Sequence, residues 1–532
     1  MNINNSKFSI WLPVIIGLSV VGGILLGNLV QKNAASQMPM RVFSHQDKIS
    51  TIMNFVENNY VDSINRTNIS EGLISEILKD LDPHSIYLPP RDLATANETL
   101  RGNFDGIGVQ FNMNKDTILV IQAIKGGPSE KVGIIAGDRI ISVNDSVVAG
   151  VRMPEDSIVS MLRGERGSKV RVGVYRKTET EPLEFTITRG KIPLFSVDVS
   201  YMIDDKTGFM KITTFSQTTF AEFEDHLDKL VKEGCTKLIL DLRDNSGGIM
   251  GPAIQIADAF LPDKSLIVYT EGRARPRENY FAGSRNKRED LELAILIDEG
   301  SASASEIVAG AIQDNDRGWI IGRRSFGKGL VQEQATLSDG SAIRLTTARY
   351  YSPTGRCIQK SYENGKDDYY MDIYHRFQQG EFMEKDSIHL PDSLKFTTRG
   401  GRIVFGGGGI MPDYFVPYDT LGISPYLRRI SNRGLIYRFA LIYSDEHRKE
   451  LNAFATGLEI DKHLRTKNLL EEFLVFAREA KVRDNPEEIK TSEEVILTQL
   501  KAYIARNILD NDGFYPIILQ IDRTLQEAIS IL

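Results

Sequence analysis

Three alternating serines followed by a lysine form the most chemically informative part of the chain. Residues 300–306 read GSASASE, and the segment lies between an apolar run and a helix-like run. A serine on such a turn is exposed, and its hydroxyl sits beside the positive end of the helix dipole. Ser301, Ser303 and Ser305 are therefore candidate nucleophiles. Ser303 and Glu306 also fit a capping box, in which the serine only starts the helix.

The candidate base is Lys328, which lies 25 positions after Ser303 in a segment that reads SFGKGLV. A lysine desolvated among apolar neighbours can lose its proton near neutral pH and serve as the base that a serine nucleophile needs. The two residues together predict acyl transfer by a serine–lysine dyad. The seven histidines lie outside this stretch, which disfavours a Ser-His-Asp triad, although a histidine could approach in three dimensions.

The composition argues against several other classes of protein. Of the 532 residues, 41% are hydrophobic and 25% charged, as in globular proteins, and a chain of this length needs three or four domains. A net charge of −7 without a basic run argues against a nucleic-acid partner. Cys235 and Cys357 leave a single disulfide bridge and two free thiols equally open. No cluster has the spacing of metal ligands, so we predict neither a metal nor a cofactor.

An apolar segment near the amino terminus predicts export. Residues 10–30 carry no charge, and as a helix they would span about 32 Å, enough for a bilayer core. Lys7 precedes this segment and favours a cytoplasmic start. We predict a cytoplasmic tail at 1–8, a transmembrane anchor at 9–30 and a linker at 31–44. A cleaved signal peptide is the alternative, and in both cases the rest of the chain is exported.

The residue pattern changes several times along the rest of the chain. Helical periodicity over 45–103 gives way to short β runs with glycines over 104–191, and strands then alternate with helices over 192–423. This alternation predicts an α/β layered core. Within it, residues 361–400 are polar, tyrosine-rich and without clear period, and we interpret them as an inserted loop or lid. Helical periodicity returns over 424–532, where apolar faces could pack on the core or form a dimer interface.

Several motifs occur in an order that is typical of one family. Besides SASASE and FGKG, the chain holds DPHS, GIGV, DLRDNSGG and YYSPTGR. Together they extend over about residues 45–420, and through them the chain resembles the C-terminal processing (tail-specific) peptidases. The resemblance implies a multidomain α+β protein in which a β-rich PDZ module precedes an α/β protease core of the crotonase/ClpP-like type. Helical regions would lie at both ends.

The resemblance also implies catalytic roles for particular residues. It assigns the nucleophile to Ser303, the general base to Lys328 and a hydrogen-bond partner of the amine to Gln332. Asp314 stands where the family often has an acidic residue of secondary importance. A structural role for Asp314 at the end of a helix is equally open.

The oxyanion hole of such an enzyme needs two N–H donors aimed at the developing alkoxide. Ala304, the residue after the nucleophile, can supply one donor from the start of the helix. Gly247 or Gly248 can supply the other, because glycine lets the backbone approach closely. The family pattern favours Gly248.

A glycine-containing loop resembles the carboxylate-binding loop of PDZ domains, and residues 136–144 (AGDRIISVN) match a second PDZ stretch. Successive backbone N–H groups of such a loop hold a terminal carboxylate, and the adjacent strand edge pairs with the peptide. Ile158 and Leu162 would face the last side chain of the peptide. The predicted loop consists of Gly106, Ile107, Gly108 and Val109.

These observations predict a membrane-anchored serine endopeptidase that captures free, apolar C-terminal tails; the resemblance implies that the substrates are envelope or periplasmic proteins. By the resemblance, the anchor would lie in the inner membrane with the catalytic domains facing the periplasm. A homodimer through the helical termini is a further expectation. The alternative function is a PDZ scaffold with an inactive hydrolase core, against which the intact Ser303, Lys328 and Gln332 argue. Acyl-CoA chemistry on a crotonase-type core is disfavoured because CoA substrates are cytosolic.

Overall fold

The chain forms two compact units, residues 1–76 and residues 77–532. In the first unit, helix α1 (Lys48–Asn59) buries Met53, and helix α2 (Arg66–Lys79) begins within the same unit. The computed structural model describes residues 17, 19–23, 48–113, 116–284 and 287–532.

The predicted tail at 1–8, anchor at 9–30 and linker at 31–44 lie almost entirely outside the described residues. Residues 17 and 19–23 are described, and they are helical. Among the residues that the structure describes, no helix combines the length and the apolar character that crossing a membrane requires.

An antiparallel sheet occupies the region that the sequence predicts to be a PDZ module. Its strands are β3 (Val109–Met113), β4 (Ile118–Ala123), β5 (Arg139–Val143), β6 (Ser146–Val147), β7 (Lys169–Tyr175) and β8 (Leu183–Thr188). They run in the order β3-β4-β5-β7-β8, with β6 beside β5. Apolar side chains from these strands and from helix α5 (Glu155–Leu162) form one core, and the short helix α4 (Pro128–Lys131) follows β4 in the chain.

The segments that enter and leave this module lie side by side. Strand β1 (Ile86–Leu88) and helix α3 (Pro90–Arg101) precede β2 (Asn103–Gly106), which pairs antiparallel with β9 (Gly190–Pro193). The module is therefore inserted in the chain between helix α3 and strand β10 (Val197–Met202).

The main core is a six-stranded sheet of mixed direction. Its strands, in spatial order, are β10 (Val197–Met202), β11 (Thr207–Ile212), β12 (Lys237–Asp241), β15 (Glu292–Ile297), β16 (Trp319–Gly322) and β21 (Tyr414–Phe415). Strand β10 is antiparallel to β11, and the others are parallel to their neighbours. The inner strands read LILD and LAILI because parallel strands covered on both faces are apolar throughout.

Three helices cover one face of this sheet and bury a large apolar cluster with it. They are α6 (Thr219–Lys232), α7 (Met250–Phe260) and α8 (Ala304–Asp314). A second, antiparallel sheet runs in the order β1-β18-β13-β14, with β17 beside β18. Its further strands are β13 (Leu266–Gly272), β14 (Arg275–Phe281), β17 (Leu330–Thr336) and β18 (Ala342–Tyr351).

The region at 361–400, interpreted from sequence as a loop or lid, contains helix α9 (Lys366–Gln378). The prediction of an unpatterned loop is wrong for this helix. Tyr369 faces inward whereas Tyr370 and Tyr374 are exposed, so aromatic residues on both faces hide the helical period. Short 3-10 turns at Lys385–Ser387 and Asp392–Leu394 follow, and then the strand pair β19 (Lys395–Thr397) and β20 (Ile403–Phe405).

The C-terminal region is helical and has a core of its own. Its helices are α10 (Pro425–Asn432), α11 (Leu435–Leu451), α12 (Gly457–Leu464), α13 (Leu469–Glu479), α14 (Pro486–Ile518) and α15 (Arg523–Ile531). Leu525 and Ala528 of α15 pack on the face of the main sheet opposite α8. Of the two arrangements left open by the sequence, this helix therefore packs on the core of its own chain; a dimer stays a prediction. Cys235 and Cys357 are free thiols.

Candidate active site

Ser303 lies at the junction of β15 and α8, where it is the N-cap residue of the helix. Its φ of 55° and ψ of −110° are costly for a residue other than glycine, and such strain is concentrated at functional sites. Ser301 and Ser305 are buried, and their hydroxyls donate to the carbonyl oxygens of Leu242 (2.8 Å) and Asn245 (2.9 Å). Of the three candidate serines, Ser303 is therefore the one that is partly exposed.

The buried carboxylate of Glu306 joins the serine turn to the lysine loop. Each of its oxygens accepts two hydrogen bonds: Oε1 from Ser325 Oγ (2.6 Å) and Gly327 N (2.7 Å), Oε2 from Ser303 N (2.8 Å) and Lys328 N (2.9 Å). Burial raises the pKa of Glu306, while these four donors favour the ionised form. The sequence indicated Glu306 only as half of a capping box, and the structure connects it to both catalytic candidates.

The side-chain amide of Gln332, which the resemblance implies as the partner of the amine, binds Lys328. Its Nζ donates to Oε1 of Gln332, on β17, at 3.0 Å. The other end of that amide, Nε2, donates to the backbone carbonyl of His84 at 2.5 Å, so that the amide oxygen points to the amine. The Gln332 side chain therefore links the lysine to the turn at His84.

The electrostatic surroundings of Lys328 favour its neutral form. Burial lowers the pKa of Lys328, and the positive charge of Arg344, on β18, lowers the pKa further. Glu306 and Asp82 oppose this change. A lowered pKa makes the neutral amine, which can accept a proton from a serine hydroxyl, available at lower pH than in an ordinary lysine.

Tyr350, at the end of β18, connects the two halves of the candidate dyad. Its buried hydroxyl lies 3.0 Å from the carbonyl oxygen of Ser303 and 2.6 Å from that of Lys328. Burial raises the pKa of Tyr350 well above its ordinary value, so the phenol is a permanent donor there. It fixes the separation of the two main-chain segments.

The DPHS motif forms the turn that orients Gln332. Asp82 Oδ1 accepts from the backbone N–H groups of His84 (2.8 Å) and Ser85 (2.9 Å). The ring of His84 is engaged elsewhere, because its Nε2 lies 2.9 Å from the hydroxyl of Tyr369. Burial and the charge of Lys328 lower the pKa of His84 to about 4, so the ring is neutral. His84 is thus the histidine that approaches the lysine loop in three dimensions, and its backbone carbonyl is what holds Gln332.

The Gly247-Gly248 turn lies directly against the candidate nucleophile. A Cβ on Gly247 would be 2.8 Å from Cβ of Ser303, and one on Gly248 would be 2.1 Å from the carbonyl oxygen of Phe215. Both glycines have positive φ, 98° and 144°. Only glycine fits at either position.

The two glycines differ in what their N–H groups do. That of Gly247 donates to Oδ1 of Asn245 at 2.9 Å and is therefore occupied. The N–H groups of Gly248 and Ala304 have no acceptor within the described part of the chain. Of the two glycines left open by the sequence, Gly248 is the one with a free donor.

These residues share one cleft of about 550 Å³. Helix α3 forms its opposite wall with Ala96, Thr99 and Leu100. The candidate catalytic residues that line it are Ser303, Lys328, Gln332, Gly248 and Ala304, together with Gly247, Arg344 and Tyr350. The cleft is large enough for several residues of an extended peptide.

Asp314 has a structural environment at the end of α8. Its carboxylate forms a fully buried ion pair with Arg356 at 2.7 Å. It also accepts hydrogen bonds from the hydroxyls of Ser352 and Thr354. These contacts attach the YYSPTGR segment to the helix that begins at Ser303.

The predicted carboxylate-binding loop joins β2 to β3. The carbonyl of Ile107 accepts from the backbone N–H (3.0 Å) and the hydroxyl (2.7 Å) of Ser129, and the carbonyl of Gly108 accepts from Ile124 N at 2.9 Å. Gly108 has a φ of 77°, and a Cβ there would be 3.0 Å from Cδ1 of Ile192. The loop is therefore a fixed turn that requires glycine.

The two groove residues predicted on α5 are not at the surface. Ile158 is 0% and Leu162 4% exposed, and both belong to the apolar core of the module. Their expected contact with the last side chain of a peptide stays a prediction. Core and groove positions alternate on one short helix, and the sequence pattern alone did not separate them.

Next to this loop, an ion pair links the module to the cleft. Arg163, which follows α5, pairs with Glu98 of α3 at 2.8 Å. Its guanidinium also lies over the ring of Phe104, 5.0 Å from the centroid. Thr99 and Leu100, the neighbours of Glu98, line the cleft.

Sequence reasoning missed three contributions to the site. Glu306 was seen only as a cap, and Tyr350 and the carbonyl of His84 were not considered at all. A signal existed, because all three lie inside the motifs SASASE, YYSPTGR and DPHS. Arg344 lies outside the motifs; the register of β17 and β18 places it opposite Gln334, and it lines the same cleft as Lys328.

Three family models match parts of the chain. Peptidase family S41 matches residues 206–368, and a PDZ domain matches residues 106–187. A family of unknown function matches residues 426–510.

Curated relatives and a solved structure resemble the same regions. A carboxy-terminal-processing protease from Bartonella bacilliformis is 33% identical over 347 residues, which cover 64% of this chain and 79% of the relative. The carboxy-terminal processing protease CtpA of Bacillus subtilis is 33% identical over 315 residues, which cover 59% of this chain and 66% of the relative. The structure of a photosystem II D1 C-terminal processing protease aligns at 28% identity with a TM-score of 0.34, covering 60% of this chain and 91% of that one.

Proposed function

The chain belongs to peptidase family S41, with the carboxy-terminal processing proteases, and we propose that it is an endopeptidase that uses Ser303 and Lys328 to cleave tail-bearing proteins. It is accordingly a serine-type hydrolase. The observation that carries the proposal is the shared cleft, in which a partly exposed serine and a partly buried lysine with a lowered pKa are tied together through Glu306 and Tyr350. We also propose that the core is related to the crotonase superfamily, on the support of its parallel strands β11, β12, β15 and β16.

The chemistry would proceed through an acyl-enzyme. Ser303 Oγ attacks the carbonyl carbon of the scissile bond, and Lys328 Nζ takes the hydroxyl proton and returns it to the leaving amine. A water molecule, deprotonated by the same amine, then releases the acyl group. The amide of Gln332 would keep the amine in place during both steps.

Two backbone donors would stabilise the tetrahedral intermediate. The N–H groups of Gly248 and Ala304, which have no acceptor among the described residues, would bind its oxyanion, and one such donor contributes roughly 10²- to 10³-fold in rate. The donors are fixed before substrate arrives, because one starts a helix and the other lies in a turn that only glycine can adopt. Such preorganised donors need no rearrangement in the transition state.

The PDZ module would select the substrates. Its glycine loop, Gly106 to Val109, would hold a free C-terminal carboxylate, and β3 would pair with the tail. Because the side chains that pack behind this loop and β3 are apolar, we expect apolar terminal residues. The ion pair of Arg163 with Glu98 supports a coupling of tail binding to the cleft.

We also propose that residues 9–30 anchor the protein in the inner membrane, with the catalytic domains in the periplasm. The support is the uncharged, apolar composition of residues 10–30. Removing residues 1–44 should release the protein into the soluble fraction. Recovery of a processed amino terminus in the periplasm would instead identify a cleaved signal peptide.

The decisive test is the digestion of an unstructured polypeptide that ends in three apolar residues. The wild-type protein should cleave it, and a version with an amidated C-terminus should be cleaved poorly. Ser303→Ala and Lys328→Ala should each abolish cleavage and retain the thermal transition of the wild type. A fluorophosphonate probe should label the wild-type protein and not Ser303→Ala.

The same experiment distinguishes the proposed protease from the alternative function, a PDZ scaffold. A PDZ scaffold with an inactive core would bind the apolar tail without cleaving it. Full cleavage by Lys328→Ala would disprove the serine–lysine dyad mechanism. Tail binding without cleavage by the wild-type protein would favour the scaffold function.

A further inference from the structure

The loop that carries Lys328 has no regular structure of its own. Residues 324–329 belong to neither a helix nor a strand. Its N–H groups at Gly327 and Lys328 donate to the buried carboxylate of Glu306. The carbonyl groups of Arg324 and Ser325, at the start of the loop, are bound by helix α9, from the insertion at 361–400.

The buried side chain of Arg376, on α9, binds the main chain of this loop. Its guanidinium donates to the carbonyl oxygens of Arg324 (2.7 Å) and Ser325 (3.1 Å). Its Nε donates to Glu381 at 2.8 Å. Glu381 also accepts hydrogen bonds from Nε (2.7 Å) and Nη2 (2.6 Å) of Arg324. The planar fork of arginine holds two adjacent carbonyls at once, as a single-point donor such as lysine would not.

A second contact fixes the middle of the loop. The ammonium of Lys360 lies 4.0 Å from the ring centroid of Phe326 and 4.3 Å from that of Tyr369, between the loop and α9. It is paired with Asp372 of α9 at 2.9 Å. The backbone N–H of Lys360 donates to the carbonyl of Gly327 at 3.0 Å.

A third contact reaches Lys328 through Gln332. The hydroxyl of Tyr369 lies 2.9 Å from Nε2 of His84, and that of Tyr370 donates to the carbonyl of Pro83 at 3.0 Å. These two tyrosines of α9 therefore hold the turn whose next carbonyl orients Gln332. Gln332 then orients the amine.

We propose that α9 is a positioning element for the catalytic lysine, in which Arg376 fixes the main chain of the lysine loop and Tyr369 fixes the turn that orients Gln332. The proposal rests on the proposed function, because it requires Lys328 to be the base. Neither Arg376 nor Tyr369 touches the reacting atoms, so both are positioning residues. In this proposal the insertion holds the lysine loop in place and does not act as a lid over the cleft.

A purely structural role for α9 makes a different prediction from a positioning role. Loss of packing alone would lower thermal stability and leave the chemistry of the folded molecules unchanged. Loss of positioning would lower kcat with little change in KM. It would also let water reach the amine, which raises the pKa of Lys328 and moves the acid limb of the pH profile to higher pH.

The experiment compares Arg376→Gln and Tyr369→Phe with the wild-type full chain on the apolar-tailed polypeptide. Arg317→Gln is the matched control, because Arg317 also donates to backbone carbonyls, those of Phe260 and Leu291, but in a different part of the core. Tyr374→Ala, on the exposed face of α9, controls for changes to the helix itself. The readouts are kcat, KM, the pH profile of kcat/KM and the thermal transition.

We expect Arg376→Gln to lower kcat roughly 10²-fold, as a displacement of about 1 Å does, with KM nearly unchanged and the acid limb at higher pH. Tyr369→Phe, which keeps the ring, should lower kcat roughly tenfold. Arg376→Lys should recover only part of the activity. Arg317→Gln should lower the thermal transition without moving the pH profile, and Tyr374→Ala should behave as the wild type.

The proposal is overturned if Arg376→Gln and Tyr369→Phe retain the wild-type kcat and pH profile while the wild type is active. Should Arg376→Gln fail to fold, the result with Tyr369→Phe decides. An inactive wild type would instead contradict the proposed function itself, which keeps the two failures distinct.

Discussion

The two halves of the candidate dyad are built in different ways. Ser303 lies between a buried strand and a helix, and main-chain geometry holds it: an N-cap position against a Gly-Gly turn. Lys328 lies in a loop without regular structure, held by side chains from outside the loop. Those side chains are Glu306, Gln332, Tyr350 and, through the loop, Arg376.

This difference indicates which substitutions should change the activity gradually. The serine half offers few graded changes, because its backbone is fixed by the start of a helix and by glycines. The lysine half depends on burial and on neighbouring charges, both of which set the pKa of an amine. We therefore expect variants of the serine half to change the height of the pH profile, and variants of the lysine half to shift its position.

The largest effect is expected from Gly248→Ala. The added Cβ would lie 2.1 Å from the carbonyl oxygen of Phe215, so the turn must move and the proposed oxyanion donor moves with it. Activity should fall by roughly 10³-fold, and the residual activity should keep the wild-type pH profile. Steady-state kinetics across pH measure both.

Gly251→Ala is the matched control for this variant. Gly251 lies three residues later in α7, and a Cβ there would meet nothing within 4 Å. It should keep full activity. A shifted pH profile in Gly248→Ala would contradict the separation of the two halves.

Glu306→Gln should affect both halves, because this carboxylate binds both segments. A glutamine amide can accept for at most two of the four donors, which leaves two of them buried and unsatisfied. The free energy of unfolding should fall by about 2 to 6 kcal/mol, and kcat by roughly 10²-fold. Denaturant unfolding and kinetics on the folded protein measure the two effects.

Glu222→Gln separates stability from catalysis. Glu222 also accepts two backbone N–H groups, those of Ser196 (2.6 Å) and Val197 (3.0 Å), on a helix away from the cleft. Because one amide oxygen can still accept both N–H groups, though without the charge, Glu222→Gln should lose some stability and keep kcat. Equal kinetics in the two glutamine variants would show that Glu306 is only a structural residue.

The contrast between the halves also explains what the sequence could predict. The order of a PDZ module before a protease core of mixed α/β content was predictable and is confirmed, because each region has a distinct periodicity and motifs in family order. Ser303 and Glu306 are three residues apart, so a local pattern revealed their relation. Lys328 and Gln332 were found through one short motif.

The remaining contacts depend on tertiary packing. The support of the lysine loop by α9 joins residues some fifty positions apart, and aromatic residues on both faces concealed the helix. The burial of Ile158 and Leu162 depends on which face of α5 meets the sheet, which an eight-residue helix does not reveal. The relation of the core to crotonases stays a prediction.

Gln332→Glu tests the lysine half by charge. A carboxylate in place of the amide, whose oxygen is 3.0 Å from Nζ, stabilises the ammonium and raises the pKa of Lys328. The acid limb of kcat/KM should move to higher pH, and activity at neutral pH should fall roughly tenfold or more. Gln332→Ala, which removes the amide without adding charge, should lose activity with a smaller shift. An unchanged acid limb in Gln332→Glu would mean that Lys328 is not the group that titrates.

The smallest effect, and the sharpest comparison, is expected from Arg344→Gln. The positive charge of Arg344 lowers the pKa of Lys328, so its removal raises that pKa and makes the neutral amine scarcer at low pH. The acid limb should move to higher pH, while activity well above the limb stays within a few-fold of the wild type. Arg349→Gln, on the same strand but exposed and bonded to Tyr362, should leave the profile unmoved. If both arginine variants shift the pH profile equally, the shift comes from the net charge of the protein. Arg344 would then have no specific effect on the pKa of Lys328.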